Sequence, residues 1–223
     1  MSLPIQAYVF DAYGTLFDVA SPVRRHSQSL GGRATLLAET WRDKQLQYTW
    51  LRTLQERYAD FEQVTAQALD FALERVGCDD RALRDQLLQA YETPQSYPEV
   101  AAALQALRGR GVRMAILSNG TERWLRSAVA ANGLEDCFDE ILSVDALGVF
   151  KPHPAVYRLA EQALQLPAGA ISFQSSNGWD AWSAQAYGMR AVWCNRSEQP
   201  AERLPTTPAH TVRSLDELLA LRD

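Results

Sequence analysis

Five short apolar runs, each ending in a polar turn, constrain the architecture of this chain more tightly than any other feature. They are Ala7–Phe10 before Asp11, Val112–Leu117 before Ser118, Glu140–Val144 before Asp145, Ala170–Phe173 before Gln174 and Ala191–Cys194 before Asn195. Runs this short, bounded by turn residues, suit strands buried on both faces. Helical spacing fills the gaps between them. Leu104 and Leu107 precede the second run, Trp124, Leu125, Ala128 and Val129 follow it, and Tyr157, Leu159, Ala160 and Leu164 follow the third. Strands alternating with helices build βαβ units, so the sequence predicts an α/β fold with a Rossmann-like, doubly wound parallel sheet.

Residues 21 to about 93 break this rhythm. Ser21-Pro22 reads as a helix N-cap followed by proline at the first helical position. Trp41, Gln45, Tyr48 and Leu51 then recur at helical spacing, with Trp50 and Leu54 beside them, and so do Phe61, Val64, Ala68, Phe71 and Ala72. No strand-like run interrupts them, and the stretch is too long for one crossover. It is expected to be an all-helical cap inserted after the first strand. The expected division is a core of residues 1–16 and 97–223 with a cap of residues 17–96. Helices that simply cover the sheet are the alternative.

Composition narrows the class of function. The chain has 223 residues, enough for one core domain with an insertion, and 47% of them are hydrophobic. Its formal net charge is −5 and no basic stripe stands out, which argues against a nucleic-acid partner. An acidic protein that binds a small anion must gather its few positive groups in one pocket. Cys78, Cys137 and Cys194 are far apart and form no CxxC pair, so buried free thiols are expected rather than a zinc site or disulfide framework. No stretch reaches the roughly 18 apolar residues of a membrane span. A soluble, cytoplasmic protein is the expectation.

In an open parallel sheet, chemistry gathers beyond the carboxyl ends of the strands. The polar residues there are Asp11, Ser118-Asn119-Gly120, Asp145 through Lys151, and Gln174-Ser175-Ser176-Asn177. A carboxylate at a buried strand end is costly unless it is paired or used. Held by a glycine turn and the Thr15 hydroxyl, Asp11 can serve as a nucleophile. A capping or turn residue is its plainer reading. The N–H groups after Ser118 open a helix and can cradle an anion. The histidines, His26, His153 and His210, are expected to be structural, and no G-x-S-x-G elbow supports serine nucleophilic catalysis.

The motifs DAYGTLFD, ILSNG, GVFKPHPAVY and SSNGWD occur in that order. Together with the segment WRDKQLQYTWLR they resemble the haloacid dehalogenase superfamily, and within it the 2-haloacid dehalogenases. The resemblance spans nearly the whole chain. Two departures from the superfamily's phosphatases bear on function. Tyr13 stands where the phosphatase pattern DxDxT has its second aspartate, so no carboxyl there can protonate a departing alcohol; a halide needs no proton to leave. The stretch Gln174-Ser175-Ser176-Asn177 is neutral where phosphatases carry an acidic Mg²⁺ ligand, and Mg²⁺ prefers carboxylate and phosphate oxygens.

The resemblance implies metal-independent hydrolysis of small L-2-haloacids to D-2-hydroxy acids and halide, with inversion and an ester on Asp11. It implies that Lys151 points at Asp11, where opposite charge favours a carboxylate. Asp180 would activate water, supported by Lys151, Ser175 and Asn177, with Asn177 orienting Asp180. Thr15 and Ser118 would hold the substrate carboxylate, and Arg42 from the cap would receive the halide with Asn119. Tyr13, Leu46, Phe61, Tyr157 and Trp179 would complete the substrate and halide site. No cofactor is expected, and a homodimer is. An Mg²⁺-dependent phosphatase and a non-catalytic binding protein on the same fold are the alternatives.

Overall fold

The computed structural model describes residues 3–221; positions 1–2 and 222–223 of the expected core lie outside the described residues. Strands form where the apolar runs fall: β1 (Ala7–Phe10), β2 (Arg113–Ser118), β3 (Glu140–Ser143), β4 (Ile171–Ser175) and β5 (Arg190–Cys194). A sixth, β6 (His210–Val212), was not expected from the sequence. The bounds move by a residue or two from the apolar runs. Val144, for example, opens a 3-10 turn instead of ending β3. The order is β3-β2-β1-β4-β5-β6 and every neighbouring pair is parallel.

The chain winds outward from β1 to β3, then crosses back to β4 and winds the other way. The reversal lies between β1 and β4, the place where an open α/β sheet leaves a crevice. On the first leg run α6 (Val100–Gly109) and α7 (Glu122–Ala131), and on the second α8 (Pro154–Leu164) and α9 (Gly178–Tyr187). Right-handed crossovers put these two pairs on opposite faces of the sheet. Both faces are thereby covered, and β1, β2, β4 and β5 bury Val9, Phe10, Ile116, Leu117, Ile171, Phe173 and Ala191 completely.

Five helices lie between β1 and α6: α1 (Ser21–Arg25), α2 (Ser27–Leu30), α3 (Ala34–Leu54), α4 (Phe61–Arg75) and α5 (Arg81–Glu92). Asp60 and Asp80 cap α4 and α5, accepting from the backbone N–H groups of Gln63 and Leu83 at 2.8 and 3.0 Å. Long α3 packs along α4. Its buried stripe, Leu37, Trp41, Gln45 and Thr49, repeats every fourth residue.

Two local expectations are corrected. Ser21 is the first residue of α1 and Ala20 is its cap; the Ser21 hydroxyl instead accepts from Gln95 N at 3.1 Å, tying the entering helix to the returning chain. Phe71 does not join the buried face of α4. It is 37% exposed, with the Lys44 amine 4.4 Å from its ring centre, and Leu69 fills the interior position.

The chain leaves and returns through a narrow neck. Asp18 N donates to Gln95 O at 2.8 Å and Tyr97 N to Leu16 O at 3.0 Å. Arg196, just past β5, locks this neck to the sheet. It donates to Thr15 O at 2.8 Å, pairs with Glu99 at 2.5 Å and stacks its guanidinium 3.9 Å from the Tyr97 ring centre. Cys137 and Cys194 are buried and Cys78 half-buried, all three as free thiols. Among the described residues no helix is long and apolar enough to cross a membrane.

Candidate active site

Asp11 leaves β1 at the topological reversal, and Gly14 turns the chain sharply behind it at φ +94°, a region natural to glycine. The turn returns Thr15 toward the carboxylate. Asp11 is only 5% exposed, so its charge must be met by the protein. Four donors meet it. Its Oδ2 accepts from Asn177 Nδ2 at 2.8 Å, Thr15 Oγ1 at 3.1 Å and, more weakly, Ser175 Oγ at 3.4 Å. Its Oδ1 accepts from Lys151 Nζ at 3.1 Å.

Lys151 is shared. Its Nζ also donates to Asp180 Oδ2 at 2.8 Å, and it lies 4.8 Å from the Phe173 ring centre. Burial works against its charge, but Asp11 and Asp180 outweigh burial and push its amine above the ordinary lysine value. The Lys151–Pro152 peptide is cis, and the Lys151 N–H donates to Asn119 Oδ1 at 2.9 Å, which links this loop to the end of β2. His153 serves a structural purpose: its Nδ1 accepts from Ala155 N and caps α8.

Asp180 sits in the first turn of α9, where the helix dipole favours an anion. Its Oδ1 accepts from Tyr157 Oη at 2.8 Å. Complete burial raises its pKa, Lys151 pulls it down, the Asp11 charge raises it again, and the Tyr157 hydrogen bond lowers it. The net direction is upward. One ammonium thus serves two buried carboxylates, and the second is a better proton acceptor than an ordinary aspartate.

The opposite wall comes from α3 and α4. Arg42 reaches over Asp11, donating from Nη2 to Asn177 Oδ1 at 3.0 Å and to Tyr13 O at 3.3 Å. Leu46, one helical turn on, and Phe61, at the start of α4, add apolar surface. Asp11, Tyr13, Arg42, Leu46, Phe61, Ser118, Asn119, Lys151, Asn177 and Trp179 line a small, nearly filled cavity of about 10 Å³. A larger surface groove, of about 530 Å³, runs along α3 but holds no buried carboxylate.

Several residues singled out from the sequence stand elsewhere than expected. Asn177 turns to Asp11 and not to Asp180, which is oriented by Tyr157 and Lys151. Tyr157 is behind the cavity, its hydroxyl engaged with Asp180, rather than in the wall. Thr15 is engaged too: it donates to Asp11 at 3.1 Å and accepts from Ser176 N at 2.8 Å, and it does not line the cavity. The Gly120 N–H turns back to Ser118 Oγ at 3.1 Å and is not aimed outward. Gly120 itself is required by close approach, because a Cβ there would meet the Tyr13 ring at 2.6 Å. Of the tryptophans, Trp179 faces the cavity, Trp50 packs edge-on against it at 5.4 Å, and Trp182 pairs with Trp193 in a separate cluster.

The sequence reading missed Gln45, Thr65, Tyr91 and Arg196 as supports of the site. Gln45 carried a signal. A polar residue interrupts the buried apolar stripe of α3 three positions after Arg42, and such a residue needs a partner inside.

The family model for haloacid dehalogenase-like hydrolases matches residues 5–188, and the chain belongs to that family. Within it, the chain is 44% identical over 216 residues to (S)-2-haloacid dehalogenase 1 of Pseudomonas sp. strain CBS-3, covering 96% of this chain and 95% of that one. It is likewise 44% identical to the (S)-2-haloacid dehalogenase of Pseudomonas sp. strain YL, over 97% of this chain and 94% of that one. A solved L-2-haloacid dehalogenase from Xanthobacter autotrophicus, with chloropropionic acid covalently bound, superimposes with a TM-score of 0.90. It is 37% identical and covers 97% of this chain and 98% of that chain.

Proposed function

We propose that this chain hydrolyses small L-2-haloacids, such as L-2-chloropropionate and haloacetates, to D-2-hydroxy acids and halide. The observation that carries the reading is Asp11: a buried carboxylate fixed by four donors, in the wall of a small cavity that an arginine closes from the other side. Asp11 attacks the halogen-bearing carbon in line with the departing halide. An Asp11–substrate ester forms, the carbon inverts, and the halide leaves as an anion without a proton. Arg42 and Asn119 receive it, and Ser118 holds the substrate carboxylate. Leu46, Phe61 and Trp179 exclude water, which strengthens the pull of Arg42 on the developing charge. Water then adds to the acyl carbon of Asp11, giving a proton to Asp180. The adduct breaks its bond to the substrate oxygen, which takes that proton back from Asp180 and leaves as the 2-hydroxy acid, while the proton of the re-formed Asp11 carboxyl passes to solvent. Lys151 lies between the two carboxylates, where it balances their charge in both states. The relatives act on 2-haloacids by name, and one of them holds its substrate covalently, which supports the same chemistry here.

Chloride release is the direct test. With EDTA present, the chain is expected to free chloride from L-2-chloropropionate and not from the D form. Phosphate release from a phosphomonoester that requires Mg²⁺, with no chloride from either enantiomer, would replace this reading by the phosphatase one.

The state of Asp180 gives a pH dependence. Asp180 must be ionised to accept a proton from water, so kcat falls on the acid side as Asp180 becomes protonated. Tyr157→Phe removes a hydrogen bond that favours the charged carboxylate. The acid limb of the kcat–pH profile is therefore expected to move to higher pH, with kcat at neutral pH lower by about tenfold, ~1.4 kcal/mol. An unmoved limb would take Asp180 out of the water step.

The proposal extends to a division between a core (residues 1–16 and 97–223) and a cap (17–96), to a cytoplasmic location and to a homodimer. Leu51 and Leu54 of α3 and Phe71 of α4 are 43%, 81% and 37% exposed and supply an apolar surface for a second copy. Sedimentation equilibrium is expected to give twice the chain mass of 24.9 kDa.

A further inference from the structure

We infer that Gln45 is the residue that aims Arg42 and keeps its charge available for a halide. This rests on the haloacid reading for the identity of the anion, and on the geometry of α3 for everything else.

Gln45 is 1% exposed and both ends of its amide are engaged. Its Nε2 donates to Thr65 Oγ1 at 2.7 Å; its Oε1 accepts from Arg42 Nη1 at 2.8 Å and from Tyr91 Oη at 3.1 Å. The direction of the amide is fixed by chemistry. The Thr65 hydroxyl donates its one proton to Phe61 O at 2.6 Å, so toward Gln45 its oxygen can only accept. The NH₂ end of Gln45 must face Thr65, and the carbonyl must face Arg42 and Tyr91. Reversed, the amide would set its NH₂ against the Arg42 guanidinium, which can only donate, and its carbonyl against the lone pairs of the Thr65 hydroxyl. The Thr65 backbone is fixed in turn by Trp41 Nε1, which donates to its carbonyl at 2.9 Å.

Arg42 is therefore oriented by acceptors from two sides: Gln45 from the helical wall, Asn177 and the Tyr13 carbonyl from the sheet. A guanidinium has five N–H donors, and these three bonds leave others for a ligand. The acceptor on the helical side is neutral. A carboxylate at position 45 would hold Arg42 equally well but would cancel its charge in a buried setting, where such cancellation is strong. The choice of an amide thus separates orientation from neutralisation. Gln45 is a positioning residue, acting through Arg42 and not on the substrate.

Two variants separate these effects. Gln45→Glu keeps an acceptor for Arg42 and Tyr91 but adds the opposing charge, while Gln45→Met removes the acceptor and stays neutral. Both are expected to weaken bromide, an analogue of the product halide, as an inhibitor of chloride release by at least about tenfold and to slow kcat more than they raise KM. Crystals soaked in bromide report the same step without turnover: an anomalous peak is expected beside Arg42 in the parent chain, and a weaker one in both variants.

A Gln45→Glu chain that binds and is inhibited by bromide like the parent would overturn the inference, and so would variants that lose only thermal stability. A parent chain with no bromide peak beside Arg42 would also overturn it. A parent chain that releases no chloride, yet shows a bromide peak at Arg42 that depends on Gln45, would support this inference while defeating the haloacid reading.

Discussion

Asp11→Asn is expected to lower chloride release from L-2-chloropropionate by at least ~10⁴-fold, the scale on which removing a nucleophile is felt. The amide is close in shape to the carboxylate; with its oxygen in the Oδ2 place the turn through Gly14 and the bonds from Thr15 and Asn177 are kept, and only the bond from Lys151 is lost. What is lost is the attacking anion. Lys151 keeps Asp180 as a partner at 2.8 Å, and the second buried carboxylate loses a like charge nearby. The variant should therefore fold and melt close to the parent while being inert. A single turnover of the parent in heavy-oxygen water should place the label in Asp11 first. Label found only in the hydroxy acid of the first turnover would mean direct attack by water, and the ester route would be abandoned.

Lys151→Met is expected to be inactive and markedly less stable. Lys151 is 1% exposed and is the ion-pair partner of both Asp11 and Asp180. Removing one member of a buried charged cluster costs about 3–5 kcal/mol, because the remaining charges are left without compensation. For a chain of this length that is roughly 10 °C in Tm. The pH dependence follows from Asp180, whose folded-state pKa already lies above its ordinary value and loses here the partner that pulls it down. A raised carboxyl pKa means that the folded state binds more protons than the unfolded one above the ordinary carboxylate pKa. Stability is then lost as pH rises through that window and regained as pH falls. The deficit of Lys151→Met should thus narrow in mild acid. A parent-like melting curve at neutral pH would show that the two carboxylates do not depend on this lysine.

The two variants also distinguish chemistry from architecture. One deletes the reacting atom and spares the fold, and the other deletes a charge that the fold requires. The fold was legible because buried parallel strands write themselves as continuous apolar runs, and β1 coincides with its run to the residue. Strand β6 was not, because His210-Thr211-Val212 is a three-residue edge strand that pairs on one side only and buries Val212 alone. The residues around Asp11 were legible because they cluster at strand ends and match ordered motifs. Their partners were not. Sequence spacing put Asn177 three residues before Asp180, and a bond between them was the natural reading. The helix start instead turns the amide back toward β1, where it meets Asp11. Ser21 was misread for a similar reason: its hydroxyl found the Gln95 N–H, a partner distant in sequence. Gln45 hid in plain view as one more member of a helical repeat.

The neck where Leu16–Asp18 lies against Gln95–Tyr97 has a consequence for how such a protein can change. Departure and return touch each other, so the length of chain between them is free to vary without altering how β1 pairs with β2 and β4. Asp11, Lys151, Asn177 and Asp180 belong to the sheet side of that crossing; Arg42, Leu46 and Phe61 arrive from the other side. The Asp11 cluster and the helical wall that faces it are therefore encoded on separate stretches of gene. A different helical insert, spliced through the same crossing and locked by the same Arg196, would present a new wall to an unchanged nucleophile.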